Sequence, residues 1–201
     1  MEKFIEFGQQ AQNGLLNISS KINFLAPLLL RLYLAPIFWM AGTSKFASFE
    51  STVAWFGNPD WGLGLPLPAL MAFLSATAET LGAFLLLFGL GVRWVSLPLM
   101  IIMIVAALTV HLQHGWQAVA DSKFCLFNCS DAEVAALRLD KARELLQQHG
   151  DYNWLIEQGR LVILNNGIEF AATYFIMLLA LLYLGAGKLS LDYLLRKHFM
   201  N

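Results

Sequence analysis

Three ionisable side chains, Arg31, Glu79 and Glu169, interrupt long apolar runs of the sequence. A charge held in hydrocarbon costs several kcal/mol, so such groups normally face the interior of a helix bundle and pair there. If the runs are helices that rise about 1.5 Å per residue, Arg31 lies roughly 10 Å and Glu79 roughly 16 Å from the same end. We therefore predict an Arg31–Glu79 ion pair, and we take all three residues as candidates for a catalytic role.

A second polar group is expected near the opposite end of these helices. Counting residues places His111 beside Glu169, with Asn165, Asn166 and Lys45 in reach. Three interpretations stay open for the buried ionisable residues. They are structural pins that fix the helix register, a proton-linked or electron-linked site, or the lining of a transport path.

Four potential metal ligands follow one another closely in the chain. His111 and His114 share one helical face, and Cys125 and Cys129 are four residues apart. Together they could bind zinc or copper, although the spacing matches no standard zinc motif. For the cysteines, a Cys125–Cys129 disulfide and free thiols are the alternatives. The sequence has no dinucleotide-binding glycine motif, P-loop, haem-attachment motif or nucleophile elbow.

The composition indicates where these residues must sit. Of the 201 residues, 58% are hydrophobic and only 13% are charged, against about 25% charged in an average soluble domain. A soluble domain of this size has too little interior to bury that much apolar surface. The formal net charge of -1 argues against nucleic acid as a partner. The lipid bilayer is the expected surrounding.

The apolar residues form four runs long enough to cross about 30 Å of hydrocarbon, which takes roughly 20 residues. The predicted spans are 24–42, 67–90, 94–112 and 161–184. A polar loop over 113–160 separates the third span from the fourth and contains a predicted helix from Ser130 to Gly150. The fold class is therefore all-α: an integral membrane four-helix bundle with a long, partly helical loop between spans three and four. Residues 1–20 are expected to form an amphipathic helix on the bilayer surface.

Several motifs support a family resemblance. They are Gly42-Thr43-Ser44-Lys45-Phe46 after Arg31, Glu79-Thr80-Leu81-Gly82, Arg93 at the start of span three, and Gly185-Ala186-Gly187-Lys188-Leu189-Ser190-Leu191-Asp192. On these residues the chain resembles the DoxX family of small four-span membrane proteins over roughly 24–192. The long third loop departs from the common family pattern. The runs 34–40 and 110–116 are similar to the sub-family encoded beside small secreted cysteine-rich peptides in metal-stress operons.

The resemblance implies a single DoxX-like transmembrane domain over 1–201 in a bacterial inner membrane. It also implies a subunit or partner of a membrane redox system, and any enzymatic activity would be that of an oxidoreductase subunit linked to quinone. Arg31, Lys45, Glu79 and Arg93 match recurring polar positions of the family, so they are the candidates for quinone binding. A membrane or periplasmic protein is the expected partner. The alternatives are a non-enzymatic membrane partner for export or handling of metal-binding peptides, and a small transporter.

Basic residues near the span ends predict the topology, because cytoplasmic loops carry an excess of Lys and Arg. The side that holds the termini has Lys21, Arg93, Lys188, Arg196 and Lys197, whereas the opposite side has Lys45, Lys123 and Arg160 near its span ends. We expect cytoplasmic termini and a periplasmic 113–160 loop, where oxidising conditions favour the disulfide. Reporter fusions after His149 and after Asn201 should report opposite compartments. A cytoplasmic signal from both fusions would contradict this topology.

Overall fold

A computed structural model describes residues 1–121 and 126–199. In these residues every named secondary-structure element is a helix. The chain forms two compact units. The first contains Met1–Leu99 together with the chain from Met177 onward, and the second contains Met100–Ile176.

The first unit contains most of the long helices. They are α1 (Glu2–Lys21), α2 (Leu25–Ala47), α3 (Phe49–Gly57), α4 (Pro68–Phe88), α5 (Val92–Ala106) as far as Leu99, α8 (Glu169–Leu184) from Met177, and α9 (Leu191–Phe199). Apolar and polar residues interleave along α1 and α9, and their large apolar side chains are exposed. This pattern is typical of helices at a membrane surface.

An extensive helix–helix interface in this unit joins α2 and α4. The buried face of α2 follows a helical period through Arg31, Leu34, Phe38 and Gly42. Most of the buried residues of α4 are small: Ala72, Ala76, Gly82 and Ala83, alongside Glu79 and Leu86. Small side chains let two helix backbones approach closely, which is how helices associate in lipid without a hydrophobic driving force.

Large apolar side chains cover the outward faces of these helices. Leu29, Leu32, Phe73 and Leu74 are all exposed by 45% or more. Three helical stretches are long and apolar enough to cross a membrane: Leu25–Ala47, Pro68–Phe88 and Val92–His114. The predicted all-α membrane helical bundle is thereby confirmed, and the helices accommodate Pro36 and Pro98 in their interiors.

The second unit begins in α5 and has its own polar framework. After α5 the chain continues through a π-helical turn (Ala107–His111) and a 3₁₀ turn (Leu112–His114), and later forms α6 (Cys129–His149), α7 (Tyr152–Ile156) and the first part of α8. The helix expected between Ser130 and Gly150 is therefore present as α6. Two extended segments pair through a bridge between Val119 and Leu164.

The fourth predicted span differs from the observed helix. Its helix, α8, begins at Glu169 rather than Leu161 and has 16 residues, about 24 Å at the usual helical rise. Residues 161–168 are not helical: Ile163 accepts a backbone hydrogen bond from Ala120, and Asn165 donates one to Ala118. Hydropathy alone had included this segment in the span.

A test of the α2–α4 interface uses Gly42. A Cβ added there would lie 2.6 Å from the backbone nitrogen of Thr80 and 2.9 Å from the carbonyl oxygen of Ala76. We expect Gly42→Ala to push the helices apart and to lower the free energy of unfolding by about 1–3 kcal/mol, measured as a lower Tm in detergent.

The control is Gly14→Ala in α1, where an added Cβ meets no atom within 4 Å. That variant should not lose stability, because alanine is a better helix former than glycine. Equal melting temperatures for Gly42→Ala and the unmodified protein would contradict the close-packed interface.

Candidate functional site

The candidate site lies between α2 and α4, where Lys45 pairs with Glu79. The Lys45 ammonium nitrogen lies 2.5 Å from the Glu79 carboxylate oxygen Oε2. The Glu79 side chain is 3% exposed and that of Lys45 is 24% exposed. Both residues were predicted as cofactor-binding candidates, and the structure brings them together.

The helix geometry explains how a lysine in the last turn of α2 reaches a carboxylate near the middle of α4. Cα–Cβ bonds in a helix tilt toward its N-terminus, so the long Lys45 side chain extends back along α2. The methylene groups of a lysine can lie along apolar surface while the ammonium group reaches a polar partner. Close approach of the two helices at Gly42, one turn before Lys45, shortens the distance to be covered.

Two hydroxyl groups of α4 add unused hydrogen-bonding capacity near Glu79 in the sequence. Thr77 Oγ1 and Thr80 Oγ1 are buried, and neither has a hydrogen-bond partner within the described part of the chain. A buried polar atom without a partner costs free energy, and in natural proteins such atoms often mark a site for water or a ligand. Sequence reasoning missed Thr77; the threonine-rich pattern Thr77-Ala78-Glu79-Thr80 was its only signal.

An apolar groove lies between the same two helices. It has a volume of about 300 Å³ and is lined by Ala35, Pro36, Trp39, Ala83, Phe84 and Leu87. The rings of Trp39 and Phe84 meet edge to face, with centroids 4.8 Å apart. Ala35 precedes Gly42 by two helical turns, which places the groove about 10 Å along α2 from the close approach.

Arg31 does not pair with Glu79, so the predicted Arg31–Glu79 ion pair is wrong. The Arg31 side chain is buried and donates hydrogen bonds only to backbone carbonyls in the described residues. These are Nε to Pro27 at 3.3 Å, Nη1 to Leu86 at 3.2 Å and Leu87 at 3.4 Å, and Nη2 to Leu189 at 2.6 Å.

The physical reason is that α4 ends beside Arg31. The last four carbonyls of a helix have no partner within the helix and carry partial negative charge. A guanidinium group with five N–H donors satisfies several of them at once. Gly89, with φ +70°, ends α4 here, and a side chain at that position would overlap the guanidinium.

Arg93, the remaining cofactor-binding candidate, lies at the same end of the unit as Arg31. Its Nη2 donates to the Tyr183 carbonyl at 3.0 Å. Nearby, the Asp192 carboxylate accepts hydrogen bonds from the backbone nitrogens of Gly91 at 2.8 Å and Val92 at 3.3 Å. The motif that ends in Asp192 therefore holds the turn between α4 and α5.

In the second unit, Glu169 and His111 each bind backbone atoms. Glu169 Oε2 accepts from the Ala118 nitrogen at 2.9 Å, and His111 Nδ1 lies 2.7 Å from the Asn166 carbonyl oxygen. Asn165, which is 8% exposed, donates to the carbonyls of His114 at 2.6 Å and Gln117 at 3.1 Å. These contacts, that of Glu169 included, hold the two extended segments together, and a catalytic role for Glu169 stays a prediction.

The structure does not test the complete four-residue metal site, His111, His114, Cys125 and Cys129. Within 1–121 and 126–199, no group of three or more His, Cys, Asp or Glu side chains is arranged to hold a metal ion. Cys129 is the first residue of α6, whereas Cys125 lies outside the described residues. The Cys125–Cys129 disulfide and the set His111, His114, Cys125 and Cys129 therefore stay predictions.

The Lys45–Glu79 pair can be tested by a double-mutant cycle. Removing one partner of a buried ion pair leaves an uncompensated charge and typically costs about 3–5 kcal/mol, whereas replacing both can be close to neutral. We expect Lys45→Met and Glu79→Gln each to lower the free energy of unfolding, and the double variant to recover much of the loss. Unfolding in detergent measures all three.

An exposed pair in α6 provides the matched control. Lys141 and Glu144 lie 2.7 Å apart with side chains 67% and 52% exposed. The same substitutions there should change stability by about 1 kcal/mol or less. If the losses from Lys45→Met and Glu79→Gln simply add in the double variant, the two residues do not act as a pair.

Comparison with known proteins identifies the family. The DoxX family matches residues 26–112, a range that covers all but the outermost residues of the three apolar helical stretches. A protein of Bacillus subtilis (strain 168) named "Putative oxidoreductase CatD" is 34% identical over 99 residues, which is 49% of this chain and 69% of that protein. No solved structure matches the chain. With the membrane helices and the family match in agreement, the chain belongs to the DoxX family.

Proposed function

We propose that this protein is the membrane subunit of a quinone-linked redox system, with Lys45 and Glu79 at the reaction site. The observation that carries the proposal is the buried Lys45–Glu79 ion pair inside an apolar helix bundle. Burying two charges costs several kcal/mol per ion after relaxation. Ionisable residues at such positions often mark proton relays or ligand sites in membrane proteins.

The chemistry of the pair suits quinone. Reduction of a quinone to a quinol takes up two electrons and two protons, and its carbonyl oxygens accept hydrogen bonds. The Lys45 ammonium group can donate a hydrogen bond to such an oxygen. The Glu79 carboxyl group can hold a proton and release it at the same place, while the hydroxyl groups of Thr77 and Thr80 are unpaired donors in the described structure.

The apolar groove supports the same proposal. Small-molecule sites are typically apolar, with a few polar groups that fix orientation. The groove of about 300 Å³ beside Trp39 and Phe84 can accept an apolar ring or part of an isoprenoid tail. Its distance along α2 from the close approach at Gly42 is short enough for one long amphipathic molecule to reach both places.

The source of electrons lies outside this chain in the proposal. The sequence has no motif for a resident haem or dinucleotide, so a reduced partner protein supplies the electrons. Residues 113–160 form the largest polar part of the chain, and we assign the docking of a membrane or periplasmic redox protein to it. The relative's name, an oxidoreductase, agrees with this class of activity.

The decisive experiment is affinity purification from native membrane. The unmodified protein should retain quinone, measured by solvent extraction and chromatography, and should co-purify with a redox partner whose electrons reduce quinone only when this chain is present. Glu79→Gln should lower turnover about a hundredfold, the scale of a lost general acid–base group. The exposed substitution Glu144→Gln is the control and should leave turnover unchanged.

Other outcomes would point elsewhere. Co-purification of a partner without quinone or turnover would replace the redox proposal with a non-enzymatic role in handling metal-binding peptides. Ion or solute flux in liposomes that depends on Glu79 would identify a transporter. A double variant Lys45→Met with Glu79→Gln that is stable and fully active would remove the pair from the reaction.

A further inference from the structure

We propose that a second site, at the Arg93 end of the first unit, binds the phosphate headgroup of an anionic phospholipid. The site is a cavity of about 280 Å³. Its walls come from the chain around the start of α2, the start of α5, the turn after α8, and α9. The side chains that matter for binding are Asn23, Arg93, Lys188, Asp192, Tyr193 and Arg196.

The charges around this cavity leave an excess of positive charge. Three cationic residues line it, Arg93, Lys188 and Arg196, and none of them forms an ion pair with a carboxylate among residues 1–121 and 126–199. The single acidic residue, Asp192, already accepts two backbone hydrogen bonds from the start of α5. An anion in the cavity would therefore meet three cations and one carboxylate that is already occupied.

The arginine geometry favours a phosphate group. Arg93 uses Nη2 for the Tyr183 carbonyl, and its other N–H groups have no partner among the described residues. A guanidinium group presents its donors in a planar fork that binds two phosphate oxygens at once. Lys188 is exposed at the cavity and adds a point charge that can follow a mobile headgroup.

The position of the cavity indicates a lipid rather than a free anion. It lies where α2 and α5 begin and α8 ends, which is the level of the headgroups if these helices span the bilayer. The neighbouring helix α9 places Leu191, Leu194 and Leu195 on one helical stripe and has the basic residues Arg196, Lys197 and His198 in its last turn. Such a helix lies in the interface and is attracted to anionic lipids.

The site is separate from the proposed reaction site. Arg31, at the cavity end of α2, precedes Lys45 by 14 residues, which is about 21 Å along the helix. Binding of a headgroup at this end can therefore be tested without altering the Lys45–Glu79 pair. The inference does not depend on the redox proposal.

The test uses the full chain in detergent with native mass spectrometry. Phosphatidylglycerol and phosphatidylcholine are titrated separately, and the number of bound lipids is counted. We expect tighter binding of phosphatidylglycerol, and a loss of about tenfold in its affinity, about 1.4 kcal/mol, for the double variant Lys188→Gln with Arg196→Gln, because it removes two exposed cations at the cavity. Neither residue has a hydrogen bond to the described chain, so this variant should fold.

Two single variants and a competing anion, inorganic phosphate, complete the test. Arg93→Gln should also weaken phosphatidylglycerol binding, whereas Arg138→Gln, an exposed arginine on α6, should not. Equal phosphatidylglycerol affinity for the unmodified protein and the cavity variants would overturn the proposal. Cavity-dependent binding of inorganic phosphate, with unchanged phosphatidylglycerol binding, would also overturn it and would assign the cavity to a free anion.

Discussion

Arg31 provides the contact on which the end of the first unit depends. Its guanidinium group donates to carbonyls from three segments: its own helix, the end of α4, and the chain before α9. The Leu86 carbonyl also accepts from the backbone nitrogen of Gly89, whereas no other donor reaches the carbonyls of Leu87 and Leu189 in the described chain. An unpaired carbonyl in hydrocarbon costs several kcal/mol. One side chain therefore bonds to the backbone of three segments and fixes where they meet.

The buried charges of this bundle have two kinds of partner: Arg31 binds backbone carbonyls, whereas Lys45 and Glu79 bind each other. The guanidinium group of Arg31 is hydrogen-bonded to backbone carbonyls. Because Arg31 is only 1% exposed, it offers no surface to a ligand. The Lys45–Glu79 pair is different, because each partner could bind a third group if the other were displaced. Lys45 keeps 24% of its side chain exposed, so it has an approach that Arg31 lacks. For this reason we place the proposed reaction site at Lys45 and Glu79.

The sequence predicted the class of fold because long apolar runs can be read from composition alone. It also identified Lys45 and Glu79, since charged residues near or inside such runs are conspicuous. It paired Glu79 with the wrong cation because counting residues estimates the depth of a Cα atom, not the direction or reach of a side chain. The acceptors of Arg31 are backbone carbonyls, which no sequence pattern marks. The start of α8 was misplaced because Asn165, Asn166 and Gly167 pair with a segment almost 50 residues earlier.

Small residues of α2 and α4 account for both the ion pair and the apolar groove. Gly42, Ala76 and Ala83 bring the two backbones close, and this closeness allows the Lys45 side chain to reach Glu79. Ala35 and Ala83 leave space beside Trp39 and Phe84, where larger side chains would fill the groove. A bundle packed with larger residues could bury as much apolar surface, but it would separate the charges and close the groove. The need to hold a charged pair beside an open apolar surface therefore gives a physical reason for alanine and glycine at these positions.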